Sequence, residues 1–278
     1  MNHGAGDFGA ATRTPSTIVA NVALGEGWHR LDIENPPLAA ACRPGQFVQV
    51  RIGDGDDPLI RRPFSVYRVD PAGAPEHLSL LYQVVGPGTR WMARRPAGAA
   101  IDLLGPLGNP FPAQHGDRQF LVGGGIGVAP LFFYALEQRR RGEQPGTLLL
   151  GARRASLLVS ADDLAQVDLP VEYATDDGSA GHHGNVVELL EKRRSHAPEA
   201  TVVGIGCGPH GMNMALRDYA LQHALEFWIS LDNYMPCGFG ACFGCVIPSP
   251  DGSGYRRVCV EGPAFPASEI PATIAGMH

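Results

Sequence analysis

The stretch FLVGGGIGVAPL, from Phe120 to Leu131, determines how the rest of the chain is interpreted. An apolar strand runs into three consecutive glycines, and an apolar helix follows through ALEQRRR. Glycines at a strand-to-helix junction let the pyrophosphate of a dinucleotide approach the backbone and the helix N-terminus. A plain tight turn gives the same local pattern, so the interpretation depends on the neighbouring segments.

The segments that follow alternate between strand and helix patterns. TLLLGA, PVEYATDDGS and ATVVGIGCGP are predicted strands, while VVELLEKRR and HGMNMALRDYALQH are predicted helices, and EFWISLD ends this region. This alternation predicts a parallel, doubly wound sheet over residues 113–228. The loops ATDDGSAG and GIGCGPHGM end two of these strands, where open α/β sheets bind ligands. We therefore expect a nucleotide crevice there, in which Cys207 is either an inert packed thiol or part of a nicotinamide pocket.

The glycine pattern differs from the usual Rossmann fingerprint in two ways. Pro130 follows Gly125 and Gly127, so no third spaced glycine completes the motif. Arg153 and Arg154 stand after the next strand, where an acidic residue is usual. These arginines either meet a 2′-phosphate or lie in solvent, which leaves both NAD and NADP open.

The segment before the glycine loop has the pattern of a small antiparallel barrel. Five short runs, TIVANVAL, FVQVRI, FSVYRV, HLSLLYQVV and AAIDLLG, are separated by Gly, Pro and Asp clusters at roughly ten-residue spacing. We predict a barrel over residues 16–112 and a disordered arm over residues 1–15. In LIRRPFSVY the arginines suit a pyrophosphate and Ser65 a ring nitrogen, although an edge strand with solvated arginines has the same composition.

Three of the six cysteines fall in MPCGFGACFGCVI, from Met235 to Ile247. Their spacing, C-x4-C-x2-C with a fourth cysteine in YRRVCV, is the plant-type pattern for a [2Fe–2S] cluster. The glycines permit unusual dihedral angles and let backbone N–H groups approach the sulfurs. Structural zinc is the alternative, although zinc sites usually have two C-x2-C pairs. The predicted ligands, in a domain over residues 229–278, are Cys237, Cys242, Cys245 and Cys259.

Composition argues against several other classes of protein. The 22 basic and 28 acidic residues give a net charge of -6, which does not favour a nucleic-acid or basic membrane-surface protein. The chain has no run of 18 or more apolar residues, so we expect no membrane span. The start has no apolar segment of the kind found in signal peptides, so we expect a cytoplasmic location, where clustered cysteines indicate metal binding or catalysis.

The motifs RRPFS, GPLGN, GGGIGVAPL, TDDGS, GCGP and CGFGACFGC follow one another in a single order. From about residue 16 to 265 the chain thereby resembles the ferredoxin reductase superfamily and, within it, the electron-transfer subunits of NAD-dependent dihydroorotate dehydrogenases. The resemblance implies an α+β multidomain fold, with an antiparallel flavin barrel, a parallel-sheet nicotinamide domain and a small C-terminal [2Fe–2S] domain. It also implies FAD, NAD and the [2Fe–2S] cluster as cofactors.

The resemblance also assigns residues to the cofactors. Those that would hold FAD are Arg62, Pro63, Phe64, Ser65, Leu81, Tyr82, Gln83, Gly88 and Thr89. Those that would border the NAD crevice are Gly124, Gly125, Gly127, Thr175, Asp176, Cys207 and Gly208. We expect no catalytic acid, base or nucleophile. One departure is that the family commonly carries an acidic residue and an arginine before the methionine of the cluster loop, where this chain has Asn233 and Tyr234.

The implied function is electron transfer in pyrimidine biosynthesis. A partner subunit that carries FMN and oxidises dihydroorotate would deliver electrons through the cluster and FAD to NAD+, within a heterotetramer. A flavin belongs between the other two groups because it exchanges electrons singly or in pairs. The rival hypotheses are a reductase subunit of a hydrogenase, a sulfite reductase or an NADH-dependent ferredoxin:NADP oxidoreductase, a stand-alone reductase, and a non-redox, zinc-stabilised nucleotide-binding regulator.

Overall fold

The computed structural model describes residues 12–53, 55, 58–70, 75–159, 169–196 and 199–274. These residues form a closed six-stranded barrel, a seven-stranded sheet and a two-stranded ribbon. The expected fold class, an antiparallel barrel followed by an α/β parallel sheet and a small C-terminal domain, is confirmed. The first eleven residues of the predicted arm lie outside the described residues, and the first strand begins at Thr12.

The barrel strands close in the order β1-β2-β5-β4-β3-β6, and every neighbouring pair is antiparallel. Their bounds are Thr12–Gly25 (β1), Trp28–Glu34 (β2), Phe47–Val50 (β3), Arg62–Val69 (β4), His77–Gln83 (β5) and Ala100–Leu107 (β6). Two short helices lie between strands, Pro36–Ala41 (α1) and Pro87–Ala93 (α2). Strand β2 is additional to the five predicted ones, because its charged residues hide the alternation of buried Leu31 and Ile33.

The sheet has the order β10-β9-β8-β7-β11-β12-β15, in which the first six strands are parallel. Its strands are Arg118–Gly124 (β7), Thr147–Ala152 (β8), Val171–Thr175 (β9), His182–His183 (β10), Val202–Cys207 (β11), Glu226–Ser230 (β12) and Ala264–Pro266 (β15). Its helices are Val128–Arg140 (α3), Val186–Ser195 (α4) and His210–Gln222 (α5). Strand β15 pairs antiparallel with β12, so the chain beyond the cysteine loop contributes an edge strand to this sheet.

Helix α3 connects the sheet to the barrel. Nine of its thirteen residues are buried, which fits an apolar helix covered on several sides. Phe132 stacks on Tyr67 of strand β4, with ring centroids 4.6 Å apart. Burial of each such side chain contributes about 1.5–3 kcal/mol. Because α3 begins directly after Gly125–Gly127, this packing also fixes the glycine loop relative to the barrel.

The cysteine segment packs into the junction of the two larger units. Strands Val246–Pro248 (β13) and Tyr255–Arg257 (β14) form a hairpin, and the short helix Val258–Glu261 (α6) follows. Their buried residues share one apolar core with Phe47 and Leu107 of the barrel and with residues of the sheet. Among the described residues, no helix combines the length and the apolar character needed to cross a membrane.

Candidate cofactor sites

A cleft lies between the barrel and the carboxyl edge of the sheet. It has a volume of about 450 Å³ and is lined by β4, β5, the glycine loop and the ends of β11 and β12. Twelve of the residues predicted to bind FAD or NAD line it, namely Pro63, Phe64, Ser65, Leu81, Tyr82, Gln83, Thr89, Gly124, Gly125, Gly127, Cys207 and Gly208. The sequence motifs of the barrel and of the sheet therefore meet in one cavity.

The barrel side of the cleft is rigid and uncharged. Tyr82 is buried, and its hydroxyl donates a hydrogen bond of 3.0 Å to the Asn21 side chain. Phe64 meets the Tyr82 ring edge-on, with centroids 6.3 Å apart. Burial raises the pKa of Tyr82 to about 12, although the bond to Asn21 opposes this, so the phenol stays neutral. A flat aromatic ligand would meet a fixed apolar wall here.

The sheet side of the cleft requires glycine. Strands β7 and β11 are neighbours, so their two glycine loops lie side by side. A Cβ atom on Gly127 would overlap the carbonyl oxygen of Cys207, and a Cβ atom on Gly124 would lie 2.7 Å from the sulfur of Met212. Backbone alone forms the surface at this point, which is what close approach of a pyrophosphate demands. The tight-turn alternative for this loop does not explain the cavity in front of it.

Cys207 lines the cleft but is not activated. Burial raises the pKa of its thiol to about 12, and the Asp232 carboxylate acts in the same direction, while a hydrogen bond with Ser230 opposes them. A thiol with this pKa remains protonated at neutral pH and is a poor nucleophile. Both earlier alternatives for Cys207 thus apply in part, because the residue borders the cleft and is chemically inert.

Two predicted residues lie away from the cleft. Strand β9, which ends at Thr175, is separated from β7 by β8. The Thr175 hydroxyl is buried and exchanges hydrogen bonds with the backbone of Ala180, at 2.8 and 2.9 Å. Asp176 follows at the exposed end of the strand. In this structure Thr175 shapes its own loop, and neither side chain lines the cavity.

The remaining predicted FAD residues line a second cavity of about 890 Å³. Arg62 and Gly88 border it, and Pro63, Phe64 and Thr89 line both cavities, which makes them parts of one elongated site. Among the residues that the structure describes, the Arg62 guanidinium donates only to backbone carbonyl groups, at 2.8 and 3.3 Å. A guanidinium that borders this cavity is suited to bind an anionic ligand.

Gly88 and Thr89, which the resemblance assigns to FAD, lie at the start of a short helix. Both residues belong to the first turn of helix α2, Pro87–Ala93. The Thr89 hydroxyl oxygen accepts hydrogen bonds from the backbone N–H groups of Val85 and Gly86, at 3.0 and 3.2 Å. Pro87 begins this helix, at a position that proline favours.

Several residues that line the cleft were missed by the sequence analysis. Asn213 is 1% exposed, its amide donates to the carbonyl of Ser230 at 3.0 Å, and its own oxygen has no donor among the described residues. Asp232 also faces the cleft. Partial burial of its carboxyl group raises the pKa, although the residue is still exposed to solvent. Neither residue belongs to a motif. The one usable signal was the position of Asn213, in the first turn of a helix that follows a glycine loop, which could have indicated that it lines the cleft.

The four predicted cluster cysteines form two pairs. The sulfurs of Cys245 and Cys259 are 3.3 Å apart, and the thiols of Cys237 and Cys242 are within hydrogen-bonding reach of each other. Among the described residues, no three His, Cys, Asp or Glu side chains are close enough together to hold a single metal ion. Two thiol pairs suit a group with two metal atoms better than one tetrahedral zinc.

The surroundings shift the pKa values of these thiols in different directions. The hydrogen bond between the sulfurs of Cys245 and Cys259, supported by the N–H groups of Cys259 and Val258, lowers the pKa of Cys245 to about 6, against the effect of burial. The same bond, together with burial, raises the pKa of Cys259. At Cys237, burial acts to raise the pKa, but N–H groups of the loop, including that of Cys242, outweigh it and lower the pKa. Thiolates are the form that binds iron, and the loop favours this form at Cys237 and Cys245.

The cysteine loop abuts the cleft directly. Met235 is buried and lines both cavities, and Cys237 follows two residues later. Gly238, which adopts φ +80°, packs so closely that a Cβ atom would lie 3.0 Å from Leu107 of strand β6. The loop that carries Cys237 therefore lies next to the barrel side of the cleft.

Comparisons with known proteins agree with this geometry. The model of the family described as "Iron-sulfur cluster binding domain of dihydroorotate dehydrogenase B" matches residues 232–271. The electron transfer subunit of dihydroorotate dehydrogenase B (NAD(+)) from Bacillus caldolyticus is 35% identical over 262 residues, which cover 93% of this chain and 98% of that relative. The chain belongs to this family of electron-transfer subunits. The corresponding subunit of Enterococcus faecalis is 36% identical over 262 residues, covering 91% and 96%.

A solved structure shows a similar fold over most of the chain. The structure described as that of an NADH-dependent reduced ferredoxin-NADP oxidoreductase superimposes with a TM-score of 0.78 and 29% identity, covering 92% of this chain and 89% of that one. Together with membership of the dihydroorotate dehydrogenase B electron-transfer subunits, this confirms the predictions of an NAD(+)-linked oxidoreductase subunit with FAD, an iron–sulfur cluster and NAD. The family also implies a catalytic partner subunit.

Proposed function

We propose that this chain passes electrons from an FMN-bearing, dihydroorotate-oxidising partner to NAD+ in pyrimidine biosynthesis in the cytoplasm. The observation that carries the proposal is the contact between the two candidate sites. Met235 lines the cleft, and Cys237, which pairs with Cys242, follows two residues later in the same loop. Electron transfer needs such proximity, and neither site would need the other in a zinc-stabilised regulator.

The residues of the chain supply binding and orientation. FAD, when bound, exchanges electrons singly with a cluster and in pairs with nicotinamide. Arg62 would pair with its pyrophosphate and Ser65 would hydrogen-bond its ring. The bare backbone of Gly124–Gly127 and Gly208 would admit the dinucleotide. Tyr82 would hold the ring plane, because its buried phenol is fixed by Asn21.

The cluster domain carries a surface suited to a protein partner. All four aromatic side chains exposed in the described residues belong to it, with Phe239 43%, Phe243 59%, Tyr234 60% and Tyr255 70% exposed. Exposed aromatic groups in one region mark interaction sites, and such residues are enriched at interface cores. We propose that the FMN-bearing subunit binds here, in a heterotetramer, so that electrons enter beside the cysteines.

A second candidate is supported by one specific observation. The similarity to the NADH-dependent reduced ferredoxin-NADP oxidoreductase covers 92% of this chain, and Tyr234 replaces the arginine that the dihydroorotate dehydrogenase subunits commonly carry. The chain would then accept a different partner at the same surface. The identity of 35% to the dihydroorotate dehydrogenase subunits favours the first proposal.

Co-expression with an FMN-bearing dihydroorotate dehydrogenase subunit tests the proposal. We expect the two chains to co-elute in size-exclusion chromatography and to reduce NAD+ with dihydroorotate, whereas this chain alone oxidises NADH with dyes but does not use dihydroorotate. Phe243→Ser should weaken co-elution, and Leu221→Ser, an exposed apolar residue of helix α5, should not. A cluster-loaded chain that does not bind the FMN subunit would contradict the proposal.

A further inference from the structure

Gln49 is a fully buried polar side chain between the two candidate sites. It lies on strand β3 and is 0% exposed. In the sheet register it is opposite Pro63, which lines the cleft, and opposite Leu104 on the other side. A buried amide usually needs a specific partner, because desolvation without one is costly.

The partner of Gln49 is the cluster loop. Its Nε2 group donates a hydrogen bond of 2.6 Å to the carbonyl oxygen of Met235. Pro236 and Gly238 flank Cys237 in the sequence. Gly238 packs on the Gln49 side chain, so closely that a Cβ atom there would lie 2.7 Å from Cγ of Gln49. Gln49 thus touches the chain on both sides of Cys237.

The oxygen end of the Gln49 amide indicates that the hydrogen bond to Met235 does more than satisfy the polar atoms of a buried side chain. Its Oε1 atom has no donor among the described residues. If the Gln49 side-chain amide were rotated by 180°, its Oε1 atom would face the carbonyl oxygen of Met235, and the two would repel each other. The hydrogen bond therefore fixes the orientation of the amide. An unsatisfied buried oxygen destabilises the fold, and an apolar side chain of the same length would avoid this cost.

A second anchor holds the opposite side of the cluster domain. The Asn109 side chain donates to the carbonyl groups of Val260 and Glu261, at 2.9 and 3.1 Å, directly after Cys259. Gln49 and Asn109 therefore hold the segments of Cys237 and Cys259 against the barrel. Of these two residues, only Gln49 lies on a strand, β3, that pairs directly with the cleft-lining strand β4.

We propose that Gln49 is a positioning residue that fixes the Cys237 side of the cluster loop against the flavin wall and so sets the rate of electron transfer between the two sites. The inference rests on the proposed function, and it concerns the step inside this chain, which is independent of the partner. Electron transfer falls away steeply with distance, so a shift of the cluster loop away from the flavin wall would slow this step measurably.

Flash photoreduction of the bound flavin, followed by the absorbance of the cluster, tests the inference on the full chain. Gln49→Met keeps the length and loses the donor, and we expect this step to slow by roughly tenfold at unchanged iron, sulfide and flavin content. Gln49→Glu donates only when its carboxyl is protonated, and burial raises the pKa of a carboxyl. Its step should therefore accelerate as the pH falls, whereas that of the wild-type chain should not.

Gln138→Met is the matched control. Gln138 is also buried, donates one hydrogen bond of 2.9 Å to Gln119 and has an oxygen that accepts no hydrogen bond from the described part of the chain. It lies at the far end of helix α3 from the glycine loop. Its variant should leave the step unchanged. The inference would be overturned if Gln49→Met transferred electrons at the wild-type rate, or if Gln138→Met slowed the step equally. If Gln49→Met failed to keep its cluster, the Gln49→Glu variant decides the question. An electron-transfer rate in Gln49→Glu that does not depend on pH would then overturn the inference. A wild-type chain without flavin or iron would instead contradict the proposed function and with it the inference.

Discussion

The cluster loop and the cofactor cleft are built in opposite ways. The loop brings three cysteines together within the eleven residues 235–245, and one hairpin adds Cys259. The cleft combines side chains from β4 and β5 with backbone from two glycine loops and the end of β12. A site made by one segment can be lost through one ligand, whereas a site assembled from distant segments depends on the packing that brings them together.

The thiols of the two regions make the same contrast. Cys245 and Cys207 both lie at the edge of a site, yet the pKa of Cys245 is lowered to about 6 and that of Cys207 is raised to about 12. The cluster loop surrounds its sulfur with hydrogen-bond donors, first the Cys259 thiol and then backbone N–H groups. The cleft offers mainly burial, which favours the neutral thiol. The surroundings of Cys245, and not its residue type, favour the thiolate.

The largest expected effect is the loss of a cluster ligand. Cys245→Ser should remove the iron–sulfur cluster almost completely, because one of the two thiol pairs is broken, while the cleft keeps its flavin. Iron and acid-labile sulfide analysis, together with the EPR signal of the reduced chain, measures this. Cys42→Ala is the matched control, since Cys42 is equally buried but lies in the barrel core. Retention of the cluster in Cys245→Ser would show that the loop is not its binding site.

A glycine substitution should damage the cleft and spare the cluster. The Cβ atom of Gly127→Ala would overlap the carbonyl of Cys207, and overpacking of this kind costs about 1–3 kcal/mol. We expect NADH affinity to fall by about tenfold or more, since each 1.4 kcal/mol corresponds to roughly a factor of ten. Titration of the bound flavin with NADH measures the affinity, and the iron content should not change.

Gly211→Ala provides the control for this substitution. Gly211 lies in helix α5, and a Cβ atom there would meet nothing within 4 Å. Alanine is favoured over glycine in helices by about 1 kcal/mol, so this variant should melt at the same or a higher temperature. Equal NADH affinities in the Gly127 and Gly211 variants would mean that the close approach of the two glycine loops is irrelevant to binding.

The sequence predicted the sheet and the cluster loop well because both carry local signals. Apolar runs that end at glycines located strands β7, β8 and β11, and cysteine spacing indicated the four thiols that the structure brings together in two pairs. Strand β2 was missed because Arg30 and Asp32 make it look polar, whereas in the structure they neutralise each other at 3.1 Å. Local pattern cannot show that two charges will pair on one face of a strand.

The cleft was predicted only in part, because its geometry depends on contacts between distant segments. Thr175 has the sequence context of a crevice residue, yet the strand order places β8 between it and the glycine loop. Asn213 has no motif, and its position follows from a bond to Ser230, seventeen residues away on another strand. Strand order and such cross-connections appear only once the sheet is assembled.

A smaller effect is expected from Asn213, which ties helix α5 to the end of β12. Asn213→Ala removes the hydrogen bond to Ser230 and leaves a buried carbonyl without that donor, which costs about 1–3 kcal/mol of unfolding free energy. Denaturant unfolding measures this loss, and NADH titration should show weaker binding with the cluster unaffected. Unchanged stability would show that packing of the sheet alone holds this side of the cleft.

The smallest effect is expected from the thiol of the cleft itself. Because burial raises the pKa of Cys207 to about 12, the group is protonated below that pH and loses its proton only above it. The rate of NADH oxidation with a dye acceptor should therefore show no step near pH 8.5, the usual pKa of a thiol. Cys207→Ser should change this rate by less than about threefold, since a neutral hydroxyl replaces a neutral thiol of similar size. A step in the pH profile of the wild-type chain that disappears in Cys207→Ser would show that the cleft, like the cluster loop, stabilises a thiolate, and the contrast between the two regions would then be wrong.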